Sequence, residues 1–142
     1  MNRCFAAYLV ALCVGISANA QDISFNRDIR PILSDKCFAC HGPSAKKEDG
    51  LARLDLRETL LKPNDHGKTI LVPGQPDASE LIRRILSTDD AARMPPADSK
   101  KSLTDAERNL LVRWVREGAE YEPHWGFIPP NRPGIPTVKQ TT

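Results

Sequence analysis

Cys37-Phe38-Ala39-Cys40-His41 places two thiols and an imidazole within five consecutive positions. In a helical turn, positions i and i+3 lie on one side, so both thiols can face the same object. A disulfide across two intervening residues closes almost no loop and adds little stability on the chain-entropy account. A thioredoxin-like redox pair belongs in a βαβ setting, which this sequence lacks. A structural zinc site needs two further ligands at suitable spacing, and the other histidines, His66 and His124, stand alone. The remaining chemistry is Cys-x-x-Cys-His, the pattern of covalent haem attachment. Each thiol can add to a porphyrin vinyl group, and His41 can turn its ring under the iron as proximal ligand. The bland alternative is an incidental cysteine pair beside an exposed histidine.

A six-coordinate iron needs a second axial ligand well downstream. Met94 follows His41 by 53 residues, and Pro95 and Pro96 stiffen the loop beyond it. The plainer use of such a methionine is as a soft core filler. His66 is the rival ligand, although it lies in a polar turn. His124 reads as a packing or linker residue beside Trp125. Arg53, Arg83 and Arg93 could reach haem propionates, because guanidinium matches carboxylate, with surface arginine as the plainer reading of each. Asp and Glu residues are scattered, and no nucleophile–base constellation is present.

The segments around these residues suggest how they are positioned. The chain has 142 residues, and residues 1–20 read as a secretory signal peptide: Arg3, a 12-residue apolar run from Phe5 to Ile16, then Ala18-Asn19-Ala20 as a small-x-small cleavage site. The run is too short to span a bilayer, which takes about 20 apolar residues, so no membrane span is expected after cleavage. Cys4 and Cys13 lie in this segment, which leaves Cys37 and Cys40 as the mature cysteines. The remaining 122 residues suit one small domain. They hold 19 basic and 18 acidic side chains, a balance that argues against nucleic acid as a partner.

The pattern predicts a mainly helical, all-α domain over residues 21–122. Phe25, Ile29, Ile32 and Leu33 fall on one face of a first helix over 26–37. Pro31 requires that this helix either start near Arg30 or be kinked. Gly42-Pro43 ends it. Residues 44–75 are mostly irregular, with Gly50-Leu51 leading into an extended segment over 53–56, a helical turn over 57–61 and turn chemistry over 63–67. A helix capped by Asp77 or Ser79 carries Leu81, Ile82, Ile85 and Leu86 on its apolar face. Thr104-Asp105-Ala106-Glu107 is a capping box opening the last helix. Leu110, Leu111, Trp114 and Val115 form its stripe, and Gly118 is its stop. Residues 123–142 are a Pro-rich linker or tail. The helices supply few large apolar side chains, a shortage that a bound porphyrin would relieve.

In this order the motifs resemble the planctomycete-type cytochrome c domain. The matching stretches run from Phe25 to Leu33, then Cys37 to Pro43. Gly50-Leu51 with Arg53-Leu54-Asp55 resembles a central "GLRLD" segment, here with Ala52 interposed. Val72-Pro73-Gly74, Ser79 to Ile85, Met94-Pro95-Pro96, Leu110-Leu111, Trp114, Gly118-Ala119 and His124-Trp125-Gly126-Phe127 complete it. The resemblance implies a small cytochrome c-like helical fold wrapped around one covalent haem c, with Cys37 and Cys40 as thioether residues, His41 proximal and Met94 distal. Members usually continue into large C-terminal domains, whose functions it does not carry over.

The leading expectation is one-electron transfer by an exported, periplasmic or secreted, non-enzymatic mono-haem protein with redox proteins as partners. A haem enzyme or gas sensor would require a labile sixth ligand. A haem-stabilised docking module is the third option, kept open by Trp125, Phe127 and the prolines that follow.

Overall fold

The computed structural model describes residues 22–45, 52–132 and 134. The signal peptide expected over 1–20, Gly50-Leu51, Pro133 and the end of the tail lie outside them. Among the described residues, five α-helices follow one another: α1 (Arg30–Lys36), α2 (Phe38–His41), α3 (Arg57–Leu60), α4 (Glu80–Ile85) and α5 (Asp105–Arg116). Among the described residues there is no β-strand, only an isolated bridge between Pro63 and Thr69, and the fold is all-α.

Pro31 sits in the first turn of α1, where its missing N–H costs nothing. A π-helical turn, Phe25–Ile29, precedes it, and the Arg30 N–H reaches back to the Phe25 carbonyl. The two sequence options for Pro31 are therefore combined: a new helix starts at Arg30, and the chain enters it through a widened turn. Phe25, Ile29, Ile32 and Leu33 are buried as the periodicity predicts.

These side chains meet Leu111, Trp114 and Val115 of α5 in one core that also takes in Leu54, Leu60, Leu71, Leu81, Ile82, Ile85 and Leu103. The capping box is formed in full. Glu107 N–H donates to Thr104 Oγ1, and Thr104 N–H donates to Glu107 Oε2 at 2.7 Å. At the other end of α5, Gly118 adopts φ +112°, and the Ala119 N–H returns to the Trp114 carbonyl at 3.0 Å. That left-handed step is open to glycine at little cost.

The turn after α5 sends Tyr121 back onto Phe25, with ring centroids 4.2 Å apart, and Trp114 lies 5.4 Å from Tyr121. Glu122 then caps the helical turn Phe25–Ile29. Its carboxylate accepts from the Phe25 N–H at 2.9 Å and from the Asn26 N–H at 3.3 Å.

Two expectations fail. Residues 53–56 form a turn rather than a strand: no neighbouring strand offers a ladder, and the Leu56 N–H closes onto the Arg53 carbonyl. Leu86, assigned to the apolar face, is 51% exposed because α4 ends at Ile85 and Leu86 caps it. Ser79 does start α4, but its buried hydroxyl makes no cap bond; it ties Val72 and Gln75 instead.

Candidate functional site

The cysteine–histidine motif lies where α1 gives way to α2. Cys37 is the C-cap of α1 and the N-cap of α2. Its carbonyl accepts from Cys40 N–H at 3.1 Å and from His41 N–H at 2.8 Å, which closes the motif into a single turn. Both cysteines are free thiols. They differ in surroundings: Cys40 is exposed, whereas Cys37 packs against the core, and burial pushes its thiol up to about 11. Gly42 follows. A Cβ there would stand 2.5 Å from the Phe38 carbonyl oxygen, so only glycine lets the chain leave this turn.

His41 is held twice. Its carbonyl accepts from the Leu54 N–H at 2.8 Å, and its ring Nδ1 lies 3.0 Å from the Ala52 carbonyl oxygen. A carbonyl only accepts, so Nδ1 carries the proton. In the neutral ring Nε2 is then the lone-pair nitrogen, the arrangement of histidines that bind a metal through Nε2 while a backbone carbonyl orients the ring.

Met94 comes from a separate loop. Its N–H donates to the Arg84 carbonyl at 3.1 Å, which fixes the loop to the end of α4. The half-buried side chain lines a cavity of about 360 Å³ together with Arg93, Pro95, Leu103, Lys101 and Arg108, among others. A second cavity, about 350 Å³, is bounded by Ile85, Leu86, Ser87 and Thr88 and shares Arg93 and Arg108 with the first. The Met94 loop region is also joined to the motif's own helix. Lys101 donates to Asp35 at 2.6 Å, two residues before Cys37, and Lys101 with Lys36 holds that carboxyl down at about 2.

The other candidates divide clearly. Arg93 lines both cavities and pairs with exposed Asp90. Arg53 is folded onto Asp55, and Arg83 onto Glu80. His66 sits in the exposed 63–67 turn, where Asn64 Oδ1 accepts from its N–H. His124 Nδ1 accepts from the Gly126 N–H and packs beside Trp125 and Phe127, both exposed. Arg108 was not foreseen, since nothing in local spacing marks one helical arginine as a cavity wall. Ala52 was not foreseen either, because it acts through its backbone carbonyl and side-chain type carries no signal of it.

The donor types are those a c-type haem uses, although neither cavity is lined by Cys37, Cys40 or His41. Two free thiols lie one helical turn apart, the adjoining imidazole presents Nε2, and a thioether lines a cavity with two arginines able to match carboxylates. Among the described residues, no three His, Cys, Asp or Glu side chains gather into a set that could hold a metal ion as protein ligands alone.

Residues 37–98 match the family model of planctomycete cytochrome C. The match starts at Cys37 and runs past Met94, so it includes all four candidate haem residues. That stretch is similar to a planctomycete-type cytochrome c domain. The pieces that flank the match, the helical turns over 25–36 and α5, provide much of the shared core. The chain is also similar to hydrazine synthase subunit alpha of Kuenenia stuttgartiensis: 29% identity over 125 residues, covering 70% of this chain. The similarity spans only 16% of that subunit's length. No solved structure matches the chain. Among the described residues, no helix is long and apolar enough to cross a membrane.

Proposed function

We propose that this chain is an exported, mono-haem c-type cytochrome domain that carries single electrons between redox proteins. The observation that carries this reading is the His41 ring, whose Nδ1–H is committed to the Ala52 carbonyl beside two free thiols. Cys37 and Cys40 would each form a thioether by adding S–H across a vinyl double bond, the sulfur taking one carbon and the proton the other. His41 Nε2 and Met94 Sδ would hold the iron, within the helical domain over 21–122. When bound, haem c supplies reversible one-electron chemistry at iron. Iron held by both side chains would serve electron exchange rather than substrate binding, and the thioether would favour the reduced state. Arg93 and Arg108, in exposed pairs worth little individually, can turn to carboxylates at the cavity. Export through residues 1–20, and a tail over 123–142 reaching toward a partner or a further domain, complete this reading.

The similarity to a hydrazine synthase subunit favours one second reading: a haem domain serving a catalytic assembly, with Met94 as a labile ligand. Expression with a c-type maturation system tests both. A haem-stained band on a denaturing gel, with a sulfur–iron band in the oxidised spectrum, supports electron transfer. Fast binding of carbon monoxide or cyanide without denaturant supports the labile site. Colourless protein with both thiols titratable refutes both.

A further inference from the structure

Tyr121 lies far from the cysteine–histidine turn in sequence, yet it is bound to the same short segment that holds His41. Its hydroxyl donates to the Leu54 carbonyl at 2.9 Å. The Leu54 N–H, on the next peptide toward the N-terminus, donates to the His41 carbonyl at 2.8 Å. Ala52, two residues earlier, takes the ring Nδ1–H of His41. Residues 52–54 are therefore fixed on one side by Tyr121 and on the other grip His41 by backbone and ring.

We propose that Tyr121 is a positioning residue for His41, acting through residues 52–54 to set the strength and direction of the hydrogen bond that orients the ring. The inference rests on the reading of His41 as an iron ligand.

The tyrosine suits this task. It is stacked on Phe25 and adjoins Trp114, so its ring has little freedom. Burial pushes its hydroxyl well above the ordinary phenol range, which keeps the proton on the donor. Among the described residues segment 52–54 has no sheet neighbour, and Tyr121 supplies a hold on this backbone in place of a ladder. A carbonyl that accepts firmly from Nδ1–H makes the imidazole a stronger donor through Nε2. A looser segment weakens that donation.

The experiment compares Tyr121→Phe with Trp114→Phe in the haem-loaded protein. The first variant keeps the ring and loses only the hydroxyl. The second trims the same aromatic cluster and loses the Trp114 bond to the Glu120 carbonyl, with no bond to 52–54 altered. In Tyr121→Phe the midpoint potential should rise, the ferric electron paramagnetic resonance spectrum should shift, and the Leu54 amide should exchange roughly fivefold faster, as expected for loss of one hydrogen bond. Trp114→Phe should lower the melting temperature and move none of these. Tyr121→Phe with unchanged potential and unchanged Leu54 exchange overturns the proposal, as does a change no larger than that of Trp114→Phe. The exchange arm is read from backbone alone, so it decides the clamp even where a colourless wild type has refuted the haem reading.

Discussion

Glu122→Ala removes the acceptor for two backbone donors that lie 97 and 96 residues earlier in the chain. The Phe25 and Asn26 N–H groups belong to the helical turn Phe25–Ile29, whose free donors need partners. A hydrogen bond to a charged group contributes about 1.5–3 kcal/mol when made, and the site is half-buried, so water can replace part of it. A loss of about 2 kcal/mol follows, or roughly 10 °C in melting temperature for a domain of this size. Burial alone would raise the Glu122 carboxyl, but hydrogen bonds from Ser24, Asn26 and Phe25 outweigh it and hold it below its ordinary value of 4.5. The contribution is therefore complete above pH 4.5 and disappears as pH falls through the lower folded value. Far-ultraviolet circular dichroism melts of wild type, Glu122→Ala and Glu122→Gln at neutral and acid pH measure this. The gap between wild type and Glu122→Gln should close on acidification. Should Glu122→Ala melt within about 2 °C of wild type at pH 7, the carboxylate does not fasten the two ends and the reasoning is refuted.

Glu80 is buried, and the Arg83 guanidinium, with Arg84 and Lys68, overcomes its burial and draws its carboxyl down to about 2. Its contribution should be lost between pH 4.5 and 2, so denaturant midpoints should fall over that window in wild type and stay flatter in Glu80→Gln. Thr104→Ala removes the hydroxyl of the capping box and should cost about 1 kcal/mol, read as a lower denaturant midpoint with unchanged slope. Met94→Ala should keep the haem-stained band on a denaturing gel while losing the sulfur–iron band of the oxidised spectrum. An unchanged spectrum would remove Met94 from the ligand set.

Features encoded by neighbours in sequence were legible before the fold was known. The turn of Cys37, Cys40 and His41 spans five residues, the Thr104–Glu107 box four, and the Gly118 stop needs only its own missing Cβ. Pro31 was half legible: its chemistry demanded a helix start or a distortion, but only the path of the preceding chain makes the π turn. The extended segment expected over 53–56 failed because alternation does not say whether a partner strand exists. Leu86 failed because helical periodicity continues on paper past the residue where the helix stops. The roles of Glu122 and Tyr121 were illegible, since each is created by residues tens of positions away, and that of Arg108 is created by the end of α4 and the segment that follows it.

Glu122 and Pro123 are bonded to Phe25 and Asn26, so the polypeptide arrives at and departs from this bundle at one spot. A unit with adjoining gates can be carried by a longer polypeptide without stretching the carrier, as a bead is held on a loop of thread. Pulling on such a junction would load the Glu122 contacts before the interior of the bundle. Strain between this unit and whatever adjoins it would then be felt first at the root of the helical arm that ends in Cys37.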